Sequence, residues 1–227
     1  MPEFDPYVIA IDGPGGSGKG SLALAVARTL GFHLLDSGAI YRLAALRALG
    51  LGIDLSKQAR VVDALENMDI RFEFGDELSI PFLDNKDVSH AIRQESTGNA
   101  ASIIAQYPGV RKQLLGRQRA CFQPPGLVAD GRDLGTVVFP TAKFKFFLYA
   151  APEIRALRRY KQLNSMGISA NIDDLQTEIA ERDERDRTRT ESPLIPAADA
   201  IIIDSSLLDQ IQVTNLVMSH IEQEVAG

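Results

Sequence analysis

The chain has 227 residues, a formal charge of −6 and 45% hydrophobic residues, which fits one globular domain, or one domain with an inserted lobe, that needs neither disulfides nor structural metal. The acidic balance opposes broad binding to nucleic acid or anionic membrane, and a single cysteine, Cys121, excludes a disulfide framework or a multi-cysteine zinc site. No basic segment precedes an apolar run at the start, and no stretch approaches the ~18–20 apolar residues that span a bilayer, so a cytosolic protein is expected. Of 24 basic residues, 17 are arginine, the side chain suited to a planar, two-pronged grip on phosphate or carboxylate.

In chain order, Tyr7 to Ile11 is a short apolar run with β-branched residues, followed by Gly13, Gly15, Gly16 and Gly18. Ser21 to Leu30 is helix-prone and ends at Gly31, giving strand, glycine loop, helix. His33 to Leu35 suits a second strand, and Ile40 to Leu49 a helix closed by Gly50. Ser56 to Asn67 reads as helical.

The texture then changes. Ile70 to Phe74 and Leu78 to Leu83 alternate with period two around the turn-like Gly75-Asp76-Glu77, a hairpin pattern in which Pro81 favours an edge. Residues 68–97 are therefore expected as a small β-rich inserted lobe, with the core supplied by 1–67 and 98–227.

Helices are expected over Asn99 to Ala105 and Pro108 to Phe122, the latter carrying Cys121 as a buried structural thiol. Leu127 to Ala129 is a short strand ending at Asp130, and Phe144 to Tyr149 another. Pro152 to Met166 and Asp173 to Arg187 are long charged helices around Gly167. Ala200 to Ile203 reads as a last buried strand and Leu207 to Val225 as a last helix. Short apolar strands alternating with helices define an α/β fold: a central, mainly parallel sheet with helices on both faces.

The strongest local signal is Asp12-Gly13-Pro14-Gly15-Gly16-Ser17-Gly18-Lys19-Gly20-Ser21, with the Gly, four residues, Gly-Lys spacing of a phosphate loop. Such a loop curls its N–H groups toward phosphate oxygens, and the helix start adds its positive dipole end. Lys19 would reach the outer phosphates. The hydroxyl that serves Mg²⁺ arrives one residue late, as Ser21, because Gly20 follows the lysine. A switch GTPase is disfavoured: Asn85-Lys86-Asp87 lacks the spacer of a guanine-reading motif and falls in the β-rich insert. Asp130 reads equally as an acid assisting Mg²⁺ or as a strand end that begins a turn.

Arg182, Arg185 and Arg189 stack on one helical face if that helix reaches Arg189, and Arg155, Arg158 and Arg159 cluster on the helix before it. Two readings stay open. The segment Glu181 to Arg187 satisfies i,i+4 ion pairing at Glu181–Arg185, Arg182–Asp186 and Asp183–Arg187, as a solvated helix would. Beside a phosphate loop, the same arginines could neutralise the charge gathered in phosphoryl transfer, which asks little covalent work of a protein. His33, His90 and His220 are scattered and read as structural or exposed.

The loop, together with Asp36-Ser37-Gly38-Ala39-Ile40-Tyr41-Arg42, Asn99-Ala100-Ala101-Ser102, the stretch Asp130 to Pro140 and the Arg182 to Arg189 segment, resembles the bacterial cytidylate kinases over nearly the whole chain. The resemblance implies a P-loop nucleoside monophosphate kinase with a β-rich monophosphate-binding lobe and a helical lid near 152–189. It implies phosphorylation of CMP and dCMP by ATP with Mg²⁺, in a monomer. Carried over by position, Gly13 to Ser21 and Arg158 would bind ATP, with Lys19, Arg132, Arg182 and Arg189 catalytic. Ser37, Arg42, Arg132, Arg182 and Arg189 would hold the acceptor's phosphate region, Tyr41 and Asp186 would lie near its sugar, and Ser102, Arg111 and Asp133 would read cytosine. Ser21 stands where relatives often carry threonine.

Overall fold

The structure, a computed structural model, describes residues 7–74, 79–165, 167 and 169–226. In chain order its elements are β1 (Val8–Asp12), α1 (Lys19–Leu30), β2 (His33–Asp36), α2 (Ser37–Gly50), α3 (Gln58–Ala64), β3 (Ile70–Phe74), β4 (Ser79–Leu83), β5 (Lys86–Asp87), α4 (Glu95–Ile104), α5 (Pro108–Ala120), β6 (Leu127–Gly131), β7 (Phe144–Tyr149), α6 (Pro152–Ser165), α7 (Ile172–Thr188), β8 (Ile201–Asp204) and α8 (Gln210–Ala226). They fall into two compact units: one runs to Leu35 and resumes at Cys121, and the other spans Asp36–Ala120.

The first unit is built on a five-stranded sheet ordered β2-β6-β1-β7-β8. β1 pairs in parallel with β6 and β7, and β7 in parallel with β8. Every residue of β1 and β6 is buried, as short apolar strands covered on two faces require. Ile9, Ile11, Val128, Phe146 and Leu148 of the sheet share a core with Leu22 and Val26 of α1 and Val213, Val217 and Ile221 of α8. From β1 the chain crosses to β2 on one side and later to β7 on the other. The carboxyl end of β1 is therefore the switch point, where open α/β sheets hold ligands.

One expectation about this sheet fails. The last strand was expected to be buried, but β8 is an edge strand: Ile201 and Ile202 are exposed and only Ile203 is buried. Four apolar residues in a row read as a strand covered on both faces, whereas β8 pairs with β7 alone.

The second unit gathers α2 to α5 around Ile40, Leu43, Ala44, Val61, Ile104, Val110 and Leu114. It also carries an antiparallel sheet ordered β3-β4-β5, within the segment 68–97. β3 and β4 pair from Ile70–Leu83 to Phe74–Ser79. The turn expected at Gly75-Asp76-Glu77 lies outside the described residues. Pro81, expected at an edge, sits in the middle strand; β5 pairs only with Phe82 and Leu83, so β4 is nearly an edge there. Asp84 and Asn85 join β4 to β5 with φ of 49° and 62°, the left-handed pair that a two-residue type I′ turn needs. The likeness of Asn85-Lys86-Asp87 to a guanine-reading motif is thus hairpin-turn chemistry.

Helix boundaries shift where punctuation misleads. α2 runs through Gly50, and the stop is Gly52, whose φ of 66° sets its N–H on Leu49 O at 2.9 Å. α5 stops at Ala120, so Cys121 lies just past the helix and is only partly buried; burial pushes its thiol above the ordinary range, away from nucleophile character. No described helix is long and apolar enough to cross a membrane.

Candidate active site

The glycine loop links β1 to α1 in the first unit. Gly13 is forced by contact: a Cβ there would lie 2.1 Å from the Leu148 carbonyl oxygen. Gly18 caps α1 with no side-chain acceptor, so the N–H groups of the first turn are left for an anion. Lys19 is buried and curls back, its Nζ donating to Pro14 O at 3.2 Å. Gly20 and Ser21 are exposed in the first turn of α1. β6 runs on to Gly131, so Asp130 does not begin a turn. It is buried in the strand, with Oδ2 3.9 Å from where a Cβ on Gly20 would sit.

The loop is held from behind. Ser205 Oγ and Arg158 both donate to Ser17 O, at 3.0 and 3.1 Å, and Arg158 also donates to Ser205 O at 2.6 Å and Leu208 O at 3.3 Å. Arg158, expected beside ATP, thus directs its donors to the carbonyls that fix the loop. The Ser17 hydroxyl is buried and has no hydrogen-bond partner among the described residues.

Beyond β6 the chain makes a wide, π-type turn over Leu134–Val138, with Val138 N–H on Asp133 O at 3.2 Å and Phe139 N–H on Leu134 O at 2.7 Å. Such turns recur at functional sites. Asp12, the last residue of β1, holds this turn: its two carboxylate oxygens accept from Leu134 N–H and Gly135 N–H, each at 2.8 Å. Burial pushes its carboxyl up to about 6, against the pull of those two bonds. The nearby Asp133 charge adds to the rise and Lys19 opposes it. Asp133, expected to read cytosine, is itself buried.

The arginines of this unit converge on Asp186. Arg132 Nε donates to Oδ2 at 2.9 Å, Arg182 Nε lies 4.0 Å from the same oxygen, and Arg189 lies 3.8 Å from Oδ1. Burial alone would raise the Asp186 carboxyl, but these three guanidinium groups outweigh it and hold it below the ordinary range. Arg132 and Arg182 also border the loop: a Cβ on Gly15 would lie 3.4 and 3.8 Å from their terminal nitrogens.

α7 ends at Thr188, one residue short of the expected stack. Arg189 is extended (φ −61°, ψ 138°) and bends back through Nε to Ser192 O at 2.6 Å. The ion pairs read from spacing form at Glu181–Arg185, 3.8 Å, and loosely at Arg182–Asp186. Asp183 instead pairs with Arg155, and Arg187 with Glu184. The helix is therefore neither wholly solvated nor wholly a clamp.

The second unit holds its own buried polar set. Asp36 caps α2, its Oδ1 accepting from Ala39 N–H at 2.8 Å, which places Ser37 and Tyr41 on the helix's buried side. Ser37 Oγ donates to Gln118 Oε1 at 2.8 Å. Arg111 lies 5.6 Å from the Tyr41 ring centre and donates to Ala105 O at 3.2 Å. Arg42 donates to Ile92 O at 2.7 Å, and a Cβ on Gly98 would lie 3.0 Å from its guanidinium. Ser102 is buried on α4.

The sequence gives Arg155 only as one of a helical cluster, and Asp12 and Gln118 carry no assigned role there. Gln118 follows the buried Val110 and Leu114 at spacings of four, and a polar residue on that apolar stripe was the available signal. Asp12 ends a fully buried strand, an equally visible position.

A glycine loop with a buried lysine, at the switch point of a parallel sheet and flanked by guanidinium groups, defines a P-loop phosphotransferase. A sequence profile of the family described as cytidylate kinase matches residues 9–223. The curated cytidylate kinase of Aeromonas hydrophila subsp. hydrophila is 51% identical over 99% of this chain and 97% of its own length. That of Bordetella bronchiseptica is 56% identical over 88% of this chain and 87% of its own, and that of Vibrio vulnificus 48% identical over 96% and 97%. The chain belongs to the cytidylate kinase family.

Proposed function

We propose that the protein transfers the γ-phosphoryl group of ATP to CMP and dCMP, giving CDP and dCDP in pyrimidine nucleotide metabolism. Family membership supports the reaction. The single observation that carries the site is the arginine group of Arg132, Arg182 and Arg189 on Asp186, with two of its members beside Gly15 of the glycine loop.

The donor's phosphates take the N–H groups of Gly15 to Gly18 and the first turn of α1, with Lys19 turning from Pro14 O to the outer phosphates. A phosphate oxygen there would also satisfy the buried Ser17 hydroxyl, whose isolation costs about 1–3 kcal/mol. Ser21 and Asp130 fit a Mg²⁺ ion held chiefly by nucleotide and water oxygens: one is an exposed hydroxyl on the first turn, the other a carboxylate near Gly20. When bound, that ion would neutralise charge on the donor's phosphate oxygens.

On the acceptor side, the guanidinium groups of Arg132, Arg182 and Arg189 gather around Asp186 and suit a phosphate monoester that is already ionised and needs no strong base. Within the second unit, likeness to the family assigns Ser37, Tyr41, Arg42, Ser102 and Arg111 to binding of the acceptor nucleotide. Asp133 supplies a carboxylate acceptor for the exocyclic amine of cytosine, where uracil presents a carbonyl.

ADP release with ATP, Mg²⁺ and each of CMP, dCMP, UMP and AMP tests this reading. Turnover concentrated on CMP and dCMP is the expected result, and equal use of UMP or AMP would overturn the cytosine assignment.

A further inference from the structure

Arg155 has no part in the transfer outlined above, yet it is 2% exposed and among the largest fully buried side chains. A guanidinium stays charged in a protein, so its burial is tolerated only when its donors are paired. Nε donates to Ala150 O at 2.9 Å, just past β7. One terminal nitrogen donates to Gly15 O at 3.1 Å, and the other to the Asp183 carboxylate on α7. The loop also packs on the stem of this side chain: a Cβ on Gly16 would lie 3.0 Å from Arg155 Cβ.

These three attachments meet where the chemistry is assembled. Gly15 is the residue bordered by the Arg132 and Arg182 guanidinium groups, and Asp183 is the next residue after Arg182. We propose that Arg155 is a positioning residue that ties the glycine loop to α7, fixing the Arg182 guanidinium in register with the loop. This rests on the phosphotransfer reading. The planar fork suits the task, because it can serve a carbonyl, a second carbonyl and a carboxylate in fixed directions. A lysine offers a compact point charge on a flexible stem. Arg155 touches no reacting atom in this scheme and acts through Arg182 alone.

The test is a double-mutant cycle on CMP-dependent kcat with Arg155→Lys, Arg182→Ala and both together. Arg155→Lys should lower kcat roughly 10- to 100-fold, the usual cost of a small misplacement. In the Arg182→Ala background the same change should cost no more than about twofold, since the group it positions is gone. The KM for ATP should move far less than kcat. Equal costs in the two backgrounds would overturn the proposal and leave Arg155 a packing residue. Should Arg155→Lys fail to fold, Asp183→Asn enters the same cycle; it weakens the α7 anchor and spares the Gly15 contact, and additivity there overturns the proposal equally. A wild-type protein with no CMP-dependent turnover would fell the functional reading itself, whereas turnover with additive costs fells only the role of Arg155.

Discussion

Two groups of arginine, each with members at the same glycine loop, differ in what they gather around. Arg155 and Arg158 on α6 give most of theirs to main-chain carbonyls: Ala150 and Gly15 for one, Ser17, Ser205 and Leu208 for the other. Arg132, Arg182 and Arg189 share a single carboxylate, Asp186. Carbonyl-bound guanidinium groups set the shape of the backbone. Guanidinium groups crowded on one carboxylate make a cationic cluster, the kind of surface that suits an anion. An arginine count cannot separate these roles; the partners do.

The largest expected effect lies in the second group. Arg182→Ala or Arg189→Ala should lower kcat on the order of 10³-fold or more, as loss of a transition-state arginine does, while circular dichroism stays native. Near-normal turnover in both variants would erase the distinction. Specificity should change less. Asp133→Ala should erode the preference for CMP over UMP by about tenfold or more, the worth of one buried hydrogen bond to a base edge, with little change in the KM for ATP. This is measured as the ratio of kcat/KM for the two acceptors.

Arg158→Met probes the first group. As a brace of the loop, Arg158 should cost about 1–3 kcal/mol of stability through the carbonyls it abandons, seen as a lower Tm and a raised KM for ATP. The kcat at saturating ATP should fall much less than in Arg182→Ala. A kcat loss matching that of Arg182→Ala, with unchanged Tm, would instead place Arg158 in contact with the transferred group, which sharpens the boundary between the two groups from the other side.

Much of this architecture was legible in the chain because local rules agree with the fold there. The run from Val8 to Asp12, the glycines and Lys19 announce strand, loop and helix, and the structure follows them. The strands of 68–89 were visible from period two, since β3 and β4 pair in the simplest antiparallel way. What stayed hidden is what sequence spacing does not encode. That Asp183 pairs with Arg155 rather than Arg187 depends on α6 packing beside α7. The π-type turn after Asp133 depends on Asp12, 122 residues away from its first partner, Leu134. The exposure of β8 depends on which strand ends the sheet, a property of topology and not of four apolar residues.

The smallest expected effect contrasts the two buried carboxylates. Burial raises Asp12 from 3.8 to about 6, whereas its arginines hold Asp186 below 3.8. The folded chain therefore keeps the Asp12 proton up to about pH 6, where the unfolded chain has already lost it near 3.8. Between those values unfolding releases a proton, so this group's contribution falls as pH rises, by at most ~3 kcal/mol, and is level above. Asp186 runs the other way: its contribution is complete above the unfolded value and is lost only as pH falls through its depressed folded value. Stability is the proper readout, because the acceptor phosphate also ionises near pH 6 and would colour any rate. Urea unfolding of the wild type and Asp12→Asn between pH 4 and 7 should give a difference that declines up to about pH 6 and then flattens. The corresponding difference for Asp186→Asn should stay flat from about pH 5 upward. If the Asp12 difference were flat as well, that carboxylate would be ionised throughout. The two N–H groups of the turn would then outweigh its burial, and both carboxylates would belong to one kind.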